Sequence, residues 1–140
     1  MLILEHISKG FNNGIKISKK IVIFTFPFYI AVDLLKQLEI LDKIGSFFSP
    51  VMKLIGLPGE ASIAIISGMT LNLYAAIAAI SPLDLNAKQI TIMGLFLGIA
   101  HNLIIETVIL TRTGIKALPV LSVRFLMAFF AAFIVNVLWI

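Results

Sequence analysis

The chain has 140 residues, of which 60% are hydrophobic and 13% charged, and its formal net charge is +4. A soluble domain is about half apolar and about a quarter charged, and a chain this short cannot bury so much apolar surface in a core of its own. The composition, with a mean hydropathy of +1.09, therefore excludes an ordinary soluble globule and predicts an integral membrane protein.

Residue patterns that carry chemistry are scarce. The sequence has no cysteine and two histidines, which excludes disulfides, thiol catalysis and cysteine metal sites. No nucleotide-binding, hydrolase or metalloprotease motif occurs, so we expect neither an enzyme nor a bound cofactor or metal. The basic residues lie at the edges of the predicted membrane segments, where they would contact anionic lipid headgroups. We therefore expect a membrane and not a nucleic acid as the partner of these charges.

The amino-terminal part of the chain predicts two helices. Residues 1–14 have apolar side chains at helical spacing and end in Asn-Asn-Gly, which is typical of a short amphipathic helix on the membrane surface. Residues 15–41 predict the first spanning helix, kinked at Pro27 because proline lacks an N–H and clashes with the preceding turn. Asp33 and Lys36 lie one turn apart near its end and could form an ion pair.

The middle of the chain predicts a surface helix and then a segment with two possible structures. Residues 42–55 are too short and too amphipathic to span, and the Gly-Leu-Pro-Gly run at 56–59 should end their helix. Residues 58–81 are long enough for one kinked spanning helix, which length alone favours. They could instead form a hairpin with residues 67–70 at its tip. A turn with capping residues follows at 82–86.

The last two predicted helices, residues 87–111 and 117–140, each carry a stripe of polar and small residues on one face. If they form a tight antiparallel hairpin, residues equally distant from its turn lie at equal depth. The predicted pairs are Glu106 with Arg124, Asn102 with Ala128, Gly98 with Ala132, and Gly94 with Asn136.

Two interpretations of these stripes remain open. Gly94-xxx-Gly98 and Ala128-xxx-Ala132 are patterns that let membrane helices approach closely, and Glu106–Arg124 would then be a buried structural pair. Alternatively, Glu106 belongs to a polar path for an ion or solute, together with Asn102 and His101.

Three stretches of the sequence resemble a known family. They are "GLPGEASIAI", "NLYAAIAAI" and "LDLNAKQITIMGLFLGIAHNLIIETVILTRTG". Together they resemble the nucleoside-recognition, or Gate, domain over about residues 44–136. More remotely, the chain is similar to half of a concentrative nucleoside transporter.

The resemblance implies an all-α membrane protein with half of an inverted-repeat, transporter-like fold. Its expected parts are three spanning helices, one re-entrant helical hairpin at residues 58–81 and two interfacial helices. Residues 1–14 would be the surface helix and residues 15–140 the Gate-type membrane domain. A hairpin tip at membrane depth needs polar partners, so we expect a substrate or ion site. The candidates are Ser67, Thr70, Asn72, His101, Asn102 and Glu106.

The resemblance also implies a function. We expect a multi-pass protein of the cytoplasmic, or inner, membrane that is a transport or permeation component for a small solute or ion. Because one Gate-type unit would supply half a site, we expect a homodimer or a heterodimer with a related Gate-domain chain, for which an antiparallel arrangement is one option. The alternative is a non-transporting membrane assembly or scaffold protein, as in the sporulation membrane proteins that carry this domain.

Overall fold

The computed structural model of the protein describes residues 2–139, apart from the side chains of residues 2–4 and 24. Over that range the chain is helical and contains no strand, which confirms the all-α prediction. The α-helices are α1 (Leu2–Gln37), α2 (Ile40–Leu54), α3 (Ser62–Thr70), α4 (Leu73–Ile80), α5 (Ala87–Ala100), α6 (Leu103–Arg112) and α7 (Ala117–Leu138), and a short 3-10 helix at Gly59–Ala61 precedes α3.

Two stretches in the described range are long and apolar enough to cross a membrane. They are Ala87–Arg112, which contains α5 and α6, and Ala117–Leu138, which is α7. Helices α1 and α2 meet at an angle of 86°, and they supply a third candidate if the two together count as one broken span. The structure thus supports a membrane protein with two to three candidate spans.

Helix α1 is a single element of 36 residues, about 54 Å long. The predicted break at the Asn-Asn-Gly run is wrong, because the helix continues through residues 12–14 and through Pro27. Glycine and asparagine each cost a helix interior about 1 kcal/mol or less, which the flanking turns can offset. The division of the chain into residues 1–14 and 15–140 stays a prediction.

The predicted Asp33–Lys36 pair is also wrong. Gln37 Nε2 donates a hydrogen bond to Asp33 Oδ2 at 2.8 Å. Lys36 Nζ instead donates to the carbonyl of Pro82 at 2.6 Å. The long lysine side chain therefore ties the end of α1 to the turn after α4.

Helix α2 begins and ends close to the predicted bounds. Its last turn closes with two hydrogen bonds, from Gly56 N–H to Lys53 O at 3.1 Å and from Leu57 N–H to Met52 O at 3.0 Å. This is a Schellman motif, and it requires the left-handed backbone that Gly56 adopts at φ +73°. The Gly-Leu-Pro-Gly run thus ends α2 as predicted.

The segment at residues 58–81 is two helices and not one kinked helix. Helices α3 and α4 pack side by side, joined by Leu71 and Asn72. A Cβ on Gly68 would lie 3.1 Å from the Cβ of Ala76 and 2.5 Å from a methyl group of Leu97. Glycine there lets α3 approach both α4 and α5. The expected tip at residues 67–70 is displaced, because these residues complete the last turn of α3.

The predicted helix at residues 87–111 is broken at His101 and Asn102, which separate α5 from α6. Its start is as the capping residues predicted. The Asn86 side chain accepts a hydrogen bond from Gln89 N–H at 3.0 Å, and Gln89 Oε1 accepts one from Asn86 N–H at 2.9 Å. Helix α7 packs on both α5 and α6 in the antiparallel direction, since Lys88 Nζ reaches the Asn136 carbonyl at 2.9 Å.

Alanine allows the helices to pack closely around α5. The centre of the core is formed by three side chains of α5 that are at most 1% exposed, namely Ile92, Met93 and Phe96. Because lipid is as apolar as a leucine side chain, membrane helices depend on close packing, which small residues permit. The core alanines, each at most 1% exposed, are Ala61, Ala64, Ala76, Ala79, Ala100, Ala128 and Ala132.

Two of the four predicted pairs between α5–α6 and α7 are wrong, namely Gly98 with Ala132 and Gly94 with Asn136. The pair of Asn102 with Ala128 stays a prediction. Ala128 and Ala132 are fully buried, but Gly94 and Gly98 are exposed, and a Cβ on either would meet no atom of the described residues within 4 Å. Helix α5 turns its large apolar side chains toward α7 instead. The prediction assumes a constant 100° of rotation per residue, and the unwound turn at residues 101–102 changes the rotation between α5 and α6.

Asn136 was expected opposite Gly94. It packs instead against Gly56, and its Nδ2 donates to the Leu54 carbonyl at 3.3 Å. The amide therefore joins the end of α7 to the end of α2.

Candidate functional site at the two helix breaks

The first break lies between α3 and α4, at Leu71 and Asn72. The carbonyl of Ser67 accepts hydrogen bonds from both Leu71 N–H at 2.8 Å and Asn72 N–H at 3.2 Å. Asn72 then caps α4, since its Oδ1 accepts a hydrogen bond from Ala75 N–H at 2.9 Å. Asparagine is among the preferred residues at a helix start because its side chain replaces the missing backbone acceptor. The backbone N–H groups of Leu71, Asn72 and Ala75 are thus paired within the hairpin.

The second break lies between α5 and α6, at His101 and Asn102. Asn102 is left-handed, with φ 55° and ψ 35°, a conformation that asparagine tolerates better than most residues. Its N–H donates to the carbonyl of Gly68 in α3 at 3.0 Å. The two breaks therefore meet, because the adjacent carbonyls of Ser67 and Gly68 each accept from one of them.

An arginine from α7 completes the second break. Arg124 Nε donates to the carbonyl of Ile99 at 2.8 Å, near the end of α5, where the break leaves carbonyls without helical partners. The same guanidinium forms an ion pair with Glu106 of α6, which confirms the predicted contact between these two residues. Arg124 thus bridges α5 and α6 across the break.

The dipole of α6 adds to this arrangement. Glu106 lies in the first turn of α6, where the partial positive charge of the helix start favours a carboxylate. Its own N–H donates to the Asn102 carbonyl at 3.1 Å. The Glu106 carboxylate is therefore stabilised both by the Arg124 guanidinium and by the dipole of α6.

Most of the other candidate side chains bond to their own helices. The hydroxyl of Ser67 donates to the Ile63 carbonyl at 2.6 Å, and that of Thr70 donates to the Ile66 carbonyl at 2.7 Å. His101 Nδ1 lies 2.9 Å from the Leu97 carbonyl. These three side chains thus contact backbone carbonyls close to them in sequence. Asn102 differs from them, because its side-chain oxygen lacks a hydrogen-bond partner in the described part of the chain.

Asn102 Oδ1 is buried and has no hydrogen-bond partner among residues 2–139. A buried amide oxygen without a donor costs about 1–3 kcal/mol. It is therefore an acceptor available to a bound proton donor or cation. No three His, Asp or Glu side chains in the described part of the chain are placed to hold a metal ion.

Two features of this site escaped the sequence prediction. The break at residues 101–102 carries neither glycine nor proline, and its only signal is an Asn, tolerant of left-handed backbone, inside an apolar run. The bond from Arg124 to Ile99 could not be predicted, because an unbroken α5 would have used that carbonyl internally.

The fold and the site define an all-helical membrane protein in which a helical hairpin and a broken helix meet inside the bundle. Comparison with known proteins names its family. The model of the Gate, or nucleoside recognition, domain matches residues 18–138. The chain therefore belongs to the Gate family, as the three stretches had indicated.

Two relatives extend this finding. The uncharacterized membrane protein YvoD of Bacillus subtilis (strain 168) is 37% identical over 138 residues, which are 99% of this chain and 43% of YvoD. The uncharacterized protein MJ0880 of Methanocaldococcus jannaschii is 34% identical over 65 residues, which are 46% of this chain and 21% of MJ0880. The chain thus spans less than half the length of the curated relatives that it matches. No solved structure matches it significantly.

Proposed function

We propose that the protein is a transport or permeation component of the cytoplasmic membrane, and that a small solute or ion binds where the two helix breaks meet. The observation that carries this proposal is the hydrogen bond from Asn102 N–H to Gly68 O at 3.0 Å, which joins the two breaks. Irregular backbone at membrane depth occurs where it lines a cavity or is buried in protein. Discontinuous helices of this kind form the solute and ion sites of many transporters. The proposed role is binding and passage, without catalysis.

The hairpin of α3 and α4 is proposed to be re-entrant. The two helices have 9 and 8 residues, about 14 Å and 12 Å, so neither crosses a hydrocarbon core of about 30 Å. The contacts between the two helices support this proposal, and a re-entrant hairpin would bring Pro58 and Ser81 to the same side of the membrane.

Labelling of single cysteines tests the re-entrant hairpin. The sequence has no cysteine, so Pro58→Cys and Ser81→Cys each introduce one thiol. In sealed vesicles, both should react with a membrane-impermeant maleimide added from the same side. Reaction from opposite sides would show that the segment crosses the membrane.

A second Gate-type unit is proposed to complete the site, as a homodimer or a heterodimer with a related chain, in antiparallel orientation. Two facts support this. The exposed face of α5 carries Gly94 and Gly98, beside which no described residue lies within 4 Å of a would-be Cβ, and such glycines allow close approach of another helix. The relatives are also more than twice as long as the matched region, which leaves room for another such unit.

A bulky residue on this face tests the interface. Gly94→Leu should separate the assembly while leaving the helix content unchanged, as measured by native mass spectrometry and circular dichroism. Gly10→Leu is the matched control, since Gly10 lies on α1 and also has open space around it. A wild-type protein that is active as a monomer would contradict the proposal.

Uptake into liposomes tests the function itself. The purified protein should admit solutes from a panel of nucleosides and monovalent and divalent cations, and Asn102→Ala should reduce uptake without loss of folded protein. Asn136→Ala is a control amide change outside the breaks. A folded, assembled protein without uptake of any solute would favour the alternative, a non-transporting membrane assembly protein.

A further inference from the structure

An apolar cavity lies between α2, α3, α5 and α7. Its volume is about 190 Å³, and its wall exposes no polar atom. Aromatic side chains form much of this wall, with Phe96 and Phe125 in edge-to-face contact at 6.0 Å between ring centroids. Polar residues of the helix breaks do not line it, so it is separate from the site described above.

The size and the chemistry of this cavity limit what it can hold. An apolar cavity of about 150 Å³ in another protein stays dry and binds benzene or xenon. Pockets for whole drug-sized ligands usually measure about 300–1,000 Å³. A polar solute would lose its hydration here without gaining hydrogen bonds. The cavity therefore fits one ring or the end of one hydrocarbon chain.

The mouth of the cavity indicates where its occupant comes from. Three apolar side chains at the cavity remain exposed, namely Val51 at 50%, Ile66 at 42% and Phe125 at 39%. Phe125 lies about 12 Å along α7 from its start, and α7 is long and apolar enough to cross a membrane. If α7 spans the membrane, the mouth opens at hydrocarbon depth, where lipid chains are the abundant apolar molecules.

We propose that this cavity binds the end of one acyl chain of a bilayer phospholipid. The chain enters past Val51 and Phe125 and lies against Met52, Ile65 and Phe96. Methionine side chains are unbranched and polarizable, so Met52 and Met69 can adapt to a flexible occupant. Since α2 and α3 form one wall and α7 the other, a bound chain fills the space between the hairpin and the last helix. This site is independent of any transport activity.

Photo-crosslinking with a lipid tests the proposal on the unaltered chain. The protein is reconstituted in phosphatidylcholine vesicles that contain phosphatidylcholine with a diazirine at the end of one acyl chain. After irradiation, mass spectrometry locates the adducts. Met52, Ile65 and Phe96 are at most 7% exposed, so bulk lipid does not reach them. Adducts on these residues are expected only if a chain occupies the cavity.

Filling the cavity provides the matched control. Ile65→Phe should abolish the interior adducts but keep those on Phe130, which is 64% exposed on α7. Ile77→Phe makes the same change on the exposed face of α4, outside the cavity, and should leave all adducts in place. If Ile65→Phe does not fold, Val51→Phe narrows the mouth at an exposed position. Adducts confined to exposed residues in the wild type, or interior adducts that persist in the folded filled variant, would overturn the proposal.

Discussion

The two helix breaks are closed in different ways. At Leu71 and Asn72, the hairpin supplies its own partners, since the Ser67 carbonyl and the Asn72 side chain satisfy the freed groups. At His101 and Asn102, the partners come from other elements, namely the Gly68 carbonyl of α3 and the Arg124 guanidinium of α7. The first break is therefore local, whereas the second ties three parts of the bundle together.

This difference has a mechanical consequence. A movement of the hairpin relative to α7 can leave the first break intact. The same movement must change the second break, because its hydrogen bonds connect Asn102 to α3 and Ile99 to α7. In the proposed transport cycle, the second break would thus respond to motion between these two elements.

The largest expected effect concerns the ion pair beside the second break. Arg124→Leu leaves Glu106 unpaired and frees the Ile99 carbonyl, so we expect a loss of about 3 kcal/mol in the free energy of unfolding. Denaturant unfolding in bicelles, followed by circular dichroism, measures this loss. Arg112→Leu, at the exposed end of α6, is the control for removal of an arginine.

A double-mutant cycle sharpens this prediction. Glu106→Leu alone should also destabilise, because it leaves Arg124 without its carboxylate. The double variant should lose less than the sum of the two single variants, since neither charge remains unpaired. Additive losses would count against a direct interaction in the folded protein.

The next largest effect is expected at the left-handed residue of the second break. Asn102→Ala replaces a residue that tolerates left-handed backbone with one for which this conformation costs about 1–2 kcal/mol. Asn102→Gly should recover that cost, because glycine adopts a positive φ without strain. Thermal unfolding in detergent compares the two variants. Equal stability of Ala and Gly would show that the backbone of residue 102 is not left-handed.

The same pair of variants separates backbone from side chain. Both lack the amide whose Oδ1 is buried without a donor in the described part of the chain. If that oxygen binds the solute, uptake should fall in both variants, even though only Asn102→Ala loses stability. Uptake retained by Asn102→Gly would assign the residue a purely structural role.

The sequence predicted those parts of the fold that depend on local signals. Gly56 ends α2 and Asn86 starts α5 as expected, because each residue type has a specific role at a helix end. The Glu106–Arg124 contact also followed from the positions of the two residues in the last two helices, since opposite charges within membrane segments usually form ion pairs.

The rest could not be predicted because it depends on contacts between distant elements. The break at Asn102 forms where Gly68 and Arg124 supply replacement hydrogen bonds, and no residue near Asn102 encodes those partners. The predicted direction of Gly94 and Gly98 is wrong because it requires one continuous helix, whereas the helix is interrupted at this break. Residues 12–14 stay helical because two asparagines and a glycine cost about 1 kcal/mol or less each, which the turns on either side can offset.

The smallest expected effect belongs to the first break. Asn72→Ala removes the acceptor for Ala75 N–H, and loss of such a cap costs about 1 kcal/mol. Because α4 opens locally, hydrogen exchange at Ala75 should accelerate about fivefold if that cost appears entirely in local opening. Asn72→Ser keeps an oxygen acceptor at the helix start and should restore most of the protection.

The exchange pattern elsewhere distinguishes the two breaks. The acceptor for Asn102 N–H is Gly68 of α3, which precedes Leu71 and does not depend on the cap of α4. Exchange in α6 should therefore be unchanged in Asn72→Ala, whereas Arg124→Leu should accelerate it in both α5 and α6. If Asn72→Ala accelerates exchange in α6 as much as in α4, the first break is not local. The two breaks would then open as one unit.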